Sequence, residues 1–409
     1  MRIGIDASNL RGGGGVTHLA ALLSHVDVAD AGIERVIVWG ASAALRRLAE
    51  RHRLVKSNPP ALERSPVHRL AWRHRTLPQL ARDQCDILFA PGGLCTDHFH
   101  PVVTMSRNML PFQLREMSRY GISRMLLRLG ILRAAQRRSF QIADGVIFLS
   151  NFARDTVLRT TGPLRGQTTV IPHGVESRFF SEPRRQRAAG DFTPDDPMRL
   201  LYVSIVDVYK HQGNVAEAVA RLRQEGLPIS IEFVGDAYPP AARQLRRAMR
   251  ARDPEGHFLK YCGPVEHAEL PRAYHSADGF VFASSCENLP NILLEAMASG
   301  LPIACSNRPP MPEVLGQAGV YFDPLRPEQI EAALRALFQN AELRKHHALA
   351  AHERAEQFSW SACARDTFRF LSDVCKLRPA ESRFGDRKPT GPWTKAEAVG
   401  AGMPAHRIG

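Results

Sequence analysis

The stretch that most constrains this chain is residues 279–302. A short apolar run, Gly-Phe-Val-Phe-Ala, breaks at Ser284 and Ser285 and gives way to CENLPNILLEAMASGLP. An apolar run of this length bounded by small residues predicts a buried strand of a parallel sheet. A helix comes next. Pro290 suits its first turn, Leu293, Leu294 and Met297 give it a core face, and Gly300 supplies a left-handed stop. Comparable runs recur at 1–7, 36–40, 86–90, 101–105, 144–149, 200–204, 229–235, 259–265 and 301–305. Helical segments are predicted from residue 17, over 44–53, over the long stretch 113–140, after Ser150 and over 327–338. Strands and helices alternating in this way argue for an α/β chain with doubly wound parallel sheets.

A strand that feeds a helix through a loop leaves free backbone N–H groups and a partial positive charge at the carboxyl edge of the sheet, which is an anion site. Two carboxylates bracket this one, Glu287 in the loop and Glu295 in the helix. A carboxylate accepts hydroxyl hydrogen bonds well and repels phosphate, so the pair reads as hydroxyl ligands on either side of a phosphate. The same spacing equally suits a solvated helix face with a polar cap, and the residues alone leave both readings open.

At 409 residues the chain is long for one core, and two domains are expected. No run reaches eighteen apolar residues, so no spanning helix is expected. The opening MRIGIDASNL reads as a first strand, not a signal peptide. Seven scattered cysteines without a Cys-x-x-Cys pair predict reduced thiols in a cytoplasmic protein and no metal site built from them. The net charge of +13 is unevenly placed: residues 1–178 hold 25 Lys and Arg against 13 Asp and Glu, a balance of +12. A positive half of this kind suits an anionic membrane, an anionic lipid-linked substrate or nucleic acid. Residues 113–140 concentrate it, with Arg115, Arg119, Arg124, Arg128, Arg133, Arg137 and Arg138 set among leucine, isoleucine and methionine. Few aromatics accompany them and no nucleic-acid motif is present, so an anionic membrane surface is the favoured partner and a solvated helix the plain alternative.

The 284–302 stretch resembles the E-x7-E signature of the retaining family-4 (group 1) glycosyltransferases of the GT-B fold. Glu287 and Glu295 stand as the paired glutamates, and EAMASGLP over 295–302 matches the usual E-A-M-A-x-G-x-P run. The similarity extends over roughly residues 1–375. It implies two Rossmann-like domains facing a cleft: residues 1–180 for the acceptor, a linker at 181–198, residues 199–357 for a nucleotide sugar, and a helix at 358–376 returning to the first domain. Residues 377–409 are predicted to be a disordered tail.

The resemblance also assigns roles. Gly14 and Gly15 belong to a glycine loop at the cleft floor, although a flexible loop with no ligand fits the same residues. Ser204 ends the strand that leads to Lys210, the diphosphate lysine, and the loop with Gly263 and Val265 lies beside the nucleobase. Glu295 binds ribose hydroxyls, while Glu287 and the N–H groups of Asn288 and Leu289 orient the sugar. Two departures stand out. A histidine expected after Met105 is replaced by Ser106, Arg107 and Asn108, of which Arg107 and Asn108 are the available substitutes on the acceptor side, and an arginine expected after Ser204 is missing. His173 reads as a turn residue. The implied activity is metal-independent, cofactor-free transfer of a sugar from a nucleotide diphosphate sugar to a glycan or lipid-linked acceptor in cell-surface polysaccharide synthesis, by a cytoplasmic protein peripheral on the inner face of the membrane. An epimerase or phosphorylase on the same fold, or an inactive sugar-nucleotide-binding protein, are the alternatives.

Overall fold

A computed structural model describes residues 1–11, 13–26 and 32–377. Residues 378–409 of the expected tail, and Gly12 of the glycine loop, lie outside the described residues. The chain forms two parallel sheets. The first holds β1 (Arg2–Ala7), β2 (Arg35–Gly40), β3 (Leu54–Ser57), β4 (Ile87–Ala90), β5 (Val102–Met105), β6 (Gly145–Phe148) and β7 (Gln167–Val170), in the order β3-β2-β1-β4-β5-β6-β7. The second holds β8 (Met198–Val203), β9 (Ile229–Val234), β10 (Leu259–Gly263), β11 (Gly279–Phe282), β12 (Ile303–Ser306) and β13 (Val320–Phe322), in the order β10-β9-β8-β11-β12-β13. Every pairing is parallel. Helices cover both faces, and β4, β5, β6, β11 and β12 are accordingly buried along their whole length.

Each sheet reverses its strand order once, between β1 and β4 in the first and between β8 and β11 in the second. At such a point the loops leave the carboxyl edge in opposite directions and open a crevice. The glycine loop follows β1, and the loops with Lys210 and Glu287 follow β8 and β11. The fold therefore brings the glycine loop to one crevice and Lys210 and Glu287 to the other.

Several local expectations need correction. The helix expected over 44–53 is a single turn, Ser42–Leu45. The chain then turns, with Arg53 at φ 67°, into β3, which pairs with the edge of β2. The first helix begins at Gly14, not at residue 17, and Pro290 caps the helix Asn291–Ala298 from just outside it. The long helix expected over 113–140 is broken: Leu114–Ser118 is one short helix, Gly121 at φ 59° turns the chain, and Ser123 caps Arg124–Ile142 by accepting from Leu126 N. Helices at Pro66–Arg75 and Leu77–Gln84 and the strand β7 were not anticipated.

The last helix, Trp360–Lys376, returns to the first domain and packs on the Gly14–His25 helix and on β4 and β6. Its buried face, Trp360, Cys363, Ala364, Thr367, Phe368, Leu371, Val374 and Cys375, recurs at three- and four-residue spacing. Two glycines make room for it. A Cβ at Gly145 would lie 2.9 Å from Phe370 and 3.0 Å from Val374, and one at Gly174 would lie 2.1 Å from the Trp360 backbone nitrogen.

Where this helix meets the turn after β7, His18, His173 and Trp360 form a buried aromatic cluster, with ring centroids 4.7 Å, 5.4 Å and 5.7 Å apart. Both ring nitrogens of His18, Nδ1 of His173 and Nε1 of Trp360 have no hydrogen-bond partner among the described residues. Burial, followed by the charge of Arg107, pushes His173 down to about 3, and burial also holds His18 well below its ordinary value of 6.5. Both are neutral in the folded chain. Protons are taken up by the unfolded chain first, so the stability these groups contribute is complete above pH 6.5 and is lost as pH falls toward about 3. The expected slope is about 1.4 kcal/mol per pH unit for each histidine. Thermal melts between pH 7 and 4 should show Tm falling, and His173→Asn should make that fall shallower.

Candidate active site

Lys210 lies at the end of the loop after β8, and the left-handed His211 (φ 52°) turns the chain into the helix Gln212–Gln224. Glu287 lies in the loop after β11. The two side chains meet: the Lys210 ammonium pairs with Glu287 Oε1, and Nζ also stands 5.2 Å from the ring centroids of both Tyr209 and Phe282. The lysine side chain is 5% exposed and the glutamate 15%, so this is an ion pair largely withdrawn from water. Such a pair is held by geometry, because removing one partner strands the other charge at a cost of about 3–5 kcal/mol.

The geometry comes from Tyr202, a residue that sequence reading did not flag. Its phenol is buried on β8, donates to the carbonyl of Lys210 at 2.6 Å and accepts from the N–H of Ala283 at 3.2 Å. One hydroxyl thus fastens together the two loops that leave the crevice. Burial and then the charge of Glu287 hold this phenol well above its ordinary value, so it stays a donor.

Glu295 sits on the helix Asn291–Ala298 and is 8% exposed. Its Oε2 accepts from Tyr274 Oη at 3.0 Å, and its Oε1 lies 3.6 Å from His267 Nε2. The buried carboxylate contradicts the solvated-face reading. His267 packs on Phe179 and pairs with Arg178, both at the end of the first domain. The backbone N–H groups of Glu287, Asn288 and Leu289 donate to no acceptor among the described residues. They lie beside a helix N-terminus, where the backbone favours an anion.

The remaining singled-out residues divide. Asn288 bridges the domains: its amide donates to the Ser106 carbonyl at 2.9 Å and its own carbonyl accepts from Ser150 Oγ at 2.8 Å, while Leu289 is buried. Glu313 adds a second bridge by accepting from Asn151 N at 2.7 Å and Phe152 N at 3.0 Å, which caps a first-domain helix from the second domain. Gly263 turns at φ 73° and Val265 stays exposed beyond it. Ser204 is buried, with its hydroxyl turned to the carbonyl of Ile205. Arg107 donates to the carbonyls of Gly14 at 2.6 Å and Gly15 at 3.2 Å. Burial brings its guanidinium down to about 10, so it remains charged. Arg107 therefore braces the glycine loop. A Cβ at Gly15 would crowd it at 3.3 Å. Asn108 is exposed and accepts from Leu110 N at 3.0 Å, a local turn cap.

Among the described residues the group of ligating side chains close enough to share an ion is His74, Asp97 and His98, none of which belongs to these loops.

Two family models match the chain. That for Glycosyltransferase Family 4 matches residues 12–179, and that for Glycosyl transferases group 1 matches residues 197–340, so together they take in the whole second sheet and all of the first but β1. O-antigen chain mannosyltransferase B of Escherichia coli is 36% identical over 110 residues, 27% of this chain and 29% of that protein. Glycogen synthase of Mycobacterium tuberculosis is 28% identical over 232 residues, 55% of this chain and 53% of that protein. The matches thus span about half or less of these relatives' length. Among solved structures, Anabaena Alr3699/HepE in complex with UDP superposes with a TM-score of 0.65 at 18% identity, covering 91% of this chain and 99% of that one. WaaG, a glycosyltransferase involved in lipopolysaccharide biosynthesis, gives 0.66 at 15% identity, covering 91% and 100%. The fold is the GT-B architecture of two Rossmann-like domains. The chain belongs to the group 1 glycosyltransferases, with a family-4 first domain.

The ion pair generates a prediction. Lys210→Ala should weaken binding of a nucleoside diphosphate about 10- to 100-fold, the worth of a charge-assisted contact. Glu287→Gln releases the lysine from its counter-charge and should bind the diphosphate at least as tightly as the wild type. Isothermal titration checks both, and weaker binding by Glu287→Gln would mean that the carboxylate holds the lysine in its working position.

Proposed function

We propose that the protein is a retaining hexosyltransferase that moves a sugar from a nucleotide diphosphate sugar to a hydroxyl of a glycan or lipid-linked acceptor in cell-surface polysaccharide synthesis. The observation that carries this reading is the Lys210–Glu287 pair at the β8–β11 crevice, beside the free N–H groups of 287–289. Charge develops on the departing diphosphate, and fixed donors aimed there lower the barrier because they need not reorganise. Lys210 and the helix N-terminus supply that stabilisation. Glu287 with the N–H groups of Asn288 and Leu289 orients the sugar, Glu295 takes ribose hydroxyls, and the Gly263–Val265 loop lies along the base. Gly14, Gly15, Arg107 and Asn108 face the acceptor side. Solved relatives bound to UDP and to UDP-glucose support a nucleotide-sugar donor. The O-antigen mannosyltransferase and WaaG support a cell-surface glycan.

A membrane surface fits the acceptor. No helix among the described residues is long and apolar enough to cross a bilayer. Yet four of the ten exposed large apolar side chains among the described residues, Leu114, Ile122, Leu127 and Ile131, fall within eighteen residues, beside exposed Arg115, Arg124 and Arg128. Arginines near anionic lipid contribute about 1 kcal/mol each, and the apolar side chains add burial in the headgroup boundary. Arg133 belongs to the fold instead, since it donates to the Pro111 carbonyl at 2.9 Å.

Turnover of radiolabelled nucleotide sugars, with and without hydroxyl acceptors, tests the reaction. Transfer to an acceptor that survives EDTA and retains anomeric configuration is expected. Loss of turnover in EDTA, restored by Mg²⁺ or Mn²⁺, would mean that a metal does the neutralising. Glu295→Ala should raise the donor KM more than it lowers kcat, because ribose is held alike in ground and transition states. Sedimentation with phosphatidylglycerol vesicles should be salt-sensitive and abolished by changing Arg115, Arg124 and Arg128 to Glu. Protein that stays in the supernatant at low salt refutes the membrane contact.

A further inference from the structure

The loops with Lys210 and Glu287 are held from across the cleft by a segment outside both signature stretches. The short helix Leu114–Ser118 and the turn after it belong to the first domain and press Glu116 and Tyr120 against the second. Glu116 is 6% exposed. Its Oε2 accepts from Ser285 Oγ at 2.6 Å and from Arg119 Nε at 2.7 Å. Ser285 Oγ also lies 2.8 Å from His211 Nε2, and Ser285 N donates to the Tyr209 carbonyl at 2.9 Å. A carboxylate can only accept, so the serine hydroxyl gives its one hydrogen to Glu116 and takes the Nε2–H of His211. The first-domain carboxylate is thereby tied to both loops, at a residue two before Glu287 and at the residue after Lys210.

Tyr120 repeats the arrangement one turn on. Its hydroxyl donates to Asp207 Oδ1 at 3.0 Å, and the carbonyl of Asp207 accepts from Lys210 N at 3.0 Å. Its ring meets Tyr238 edge-on at 5.6 Å. Met117, Tyr120 and Leu129 of the first domain bury themselves against Val208, Tyr209 and Tyr238 of the second, a small apolar core that straddles the cleft.

We infer that Glu116 and Tyr120 are positioning residues that fix the Lys210 and Glu287 loops when the domains meet, so that the first domain completes the site carried by the second. The inference rests on reading those loops as the donor site, but the positioning itself is measurable without turnover.

The experiment is amide hydrogen exchange by mass spectrometry on the full chain, followed by donor kinetics. Glu116→Ala combined with Tyr120→Phe should raise exchange about tenfold or more over 205–211 and 284–289 and leave β1, β4 and β12 unchanged. Glu116→Gln still offers Ser285 an oxygen and should stay close to wild type. With donor, Glu116→Ala should raise KM and lower kcat, and Glu116→Gln should restore both. A role confined to stability would lower Tm and the active fraction but leave the KM of the remainder untouched. Unchanged exchange in the two loops overturns the inference. Raised exchange in the double variant, together with a wild type that turns over no nucleotide sugar, upholds the positioning and overturns the glycosyl-transfer reading instead.

Discussion

The buried pair of Lys210 and Glu287 is the contact on which the rest of the site depends. Two opposite charges drawn out of water gain little net stability, since desolvation offsets most of their attraction. They persist because neighbouring groups leave them no alternative. Tyr202 fastens the two loops from below, His211 bends the chain in the left-handed region, and the rings of Tyr209 and Phe282 close around the ammonium. The strand order makes this possible, because the two loops that must meet leave adjacent strands at the point where the order reverses.

The same logic links the two domains. The polar contacts across the cleft join a backbone or carboxylate group of one domain to a partner on the other, as with Asn288 and Ser106, Ser150 and Asn288, or Glu313 and the helix at Asn151, and a small apolar core at Tyr120 and Tyr238 stands beside them. Polar contacts of this kind reform on each encounter, whereas a large apolar interface would lock the domains together. A more extensive apolar attachment runs along the returning helix and its cluster with His18 and His173.

Much of this was legible in the sequence because the strands of a parallel sheet are buried on both faces and read as plain apolar runs. The runs at 86–90, 144–149 and 279–283 became β4, β6 and β11, and the left-handed stop at Gly300 appears at φ 64°. The edge strands β3 and β7 were not legible, since their residues are only half-buried or exposed and pairing rather than pattern defines them. The carboxylates stood out from their places around the strand-loop-helix turn, with the resemblance deciding between two readings of them, and the lysine was found through the resemblance alone. Their supporting partners were not, because these sit far away along the chain: Tyr202 and Ala283 are 81 residues apart, and Ser150 and Asn288 are 138. Arg107 shows the limit most clearly. It was read as a substitute on the acceptor side, and its partners, the Gly14 and Gly15 carbonyls, lie 93 and 92 residues away along the chain.

The unequal division of charge has a consequence for orientation. With residues 1–178 carrying +12 of the total +13, the molecule is an electric dipole whose positive pole is the first domain. Near any anionic surface it experiences a torque before it experiences contact, acting over roughly the 8 Å screening length of physiological salt. The first domain is turned inward and the nearly neutral second domain outward. A small anionic molecule arriving from solution then reaches the second domain from the open side, against the least background field. Charge segregation alone can thus sort a surface-bound reactant from a dissolved one, before any pocket has distinguished them.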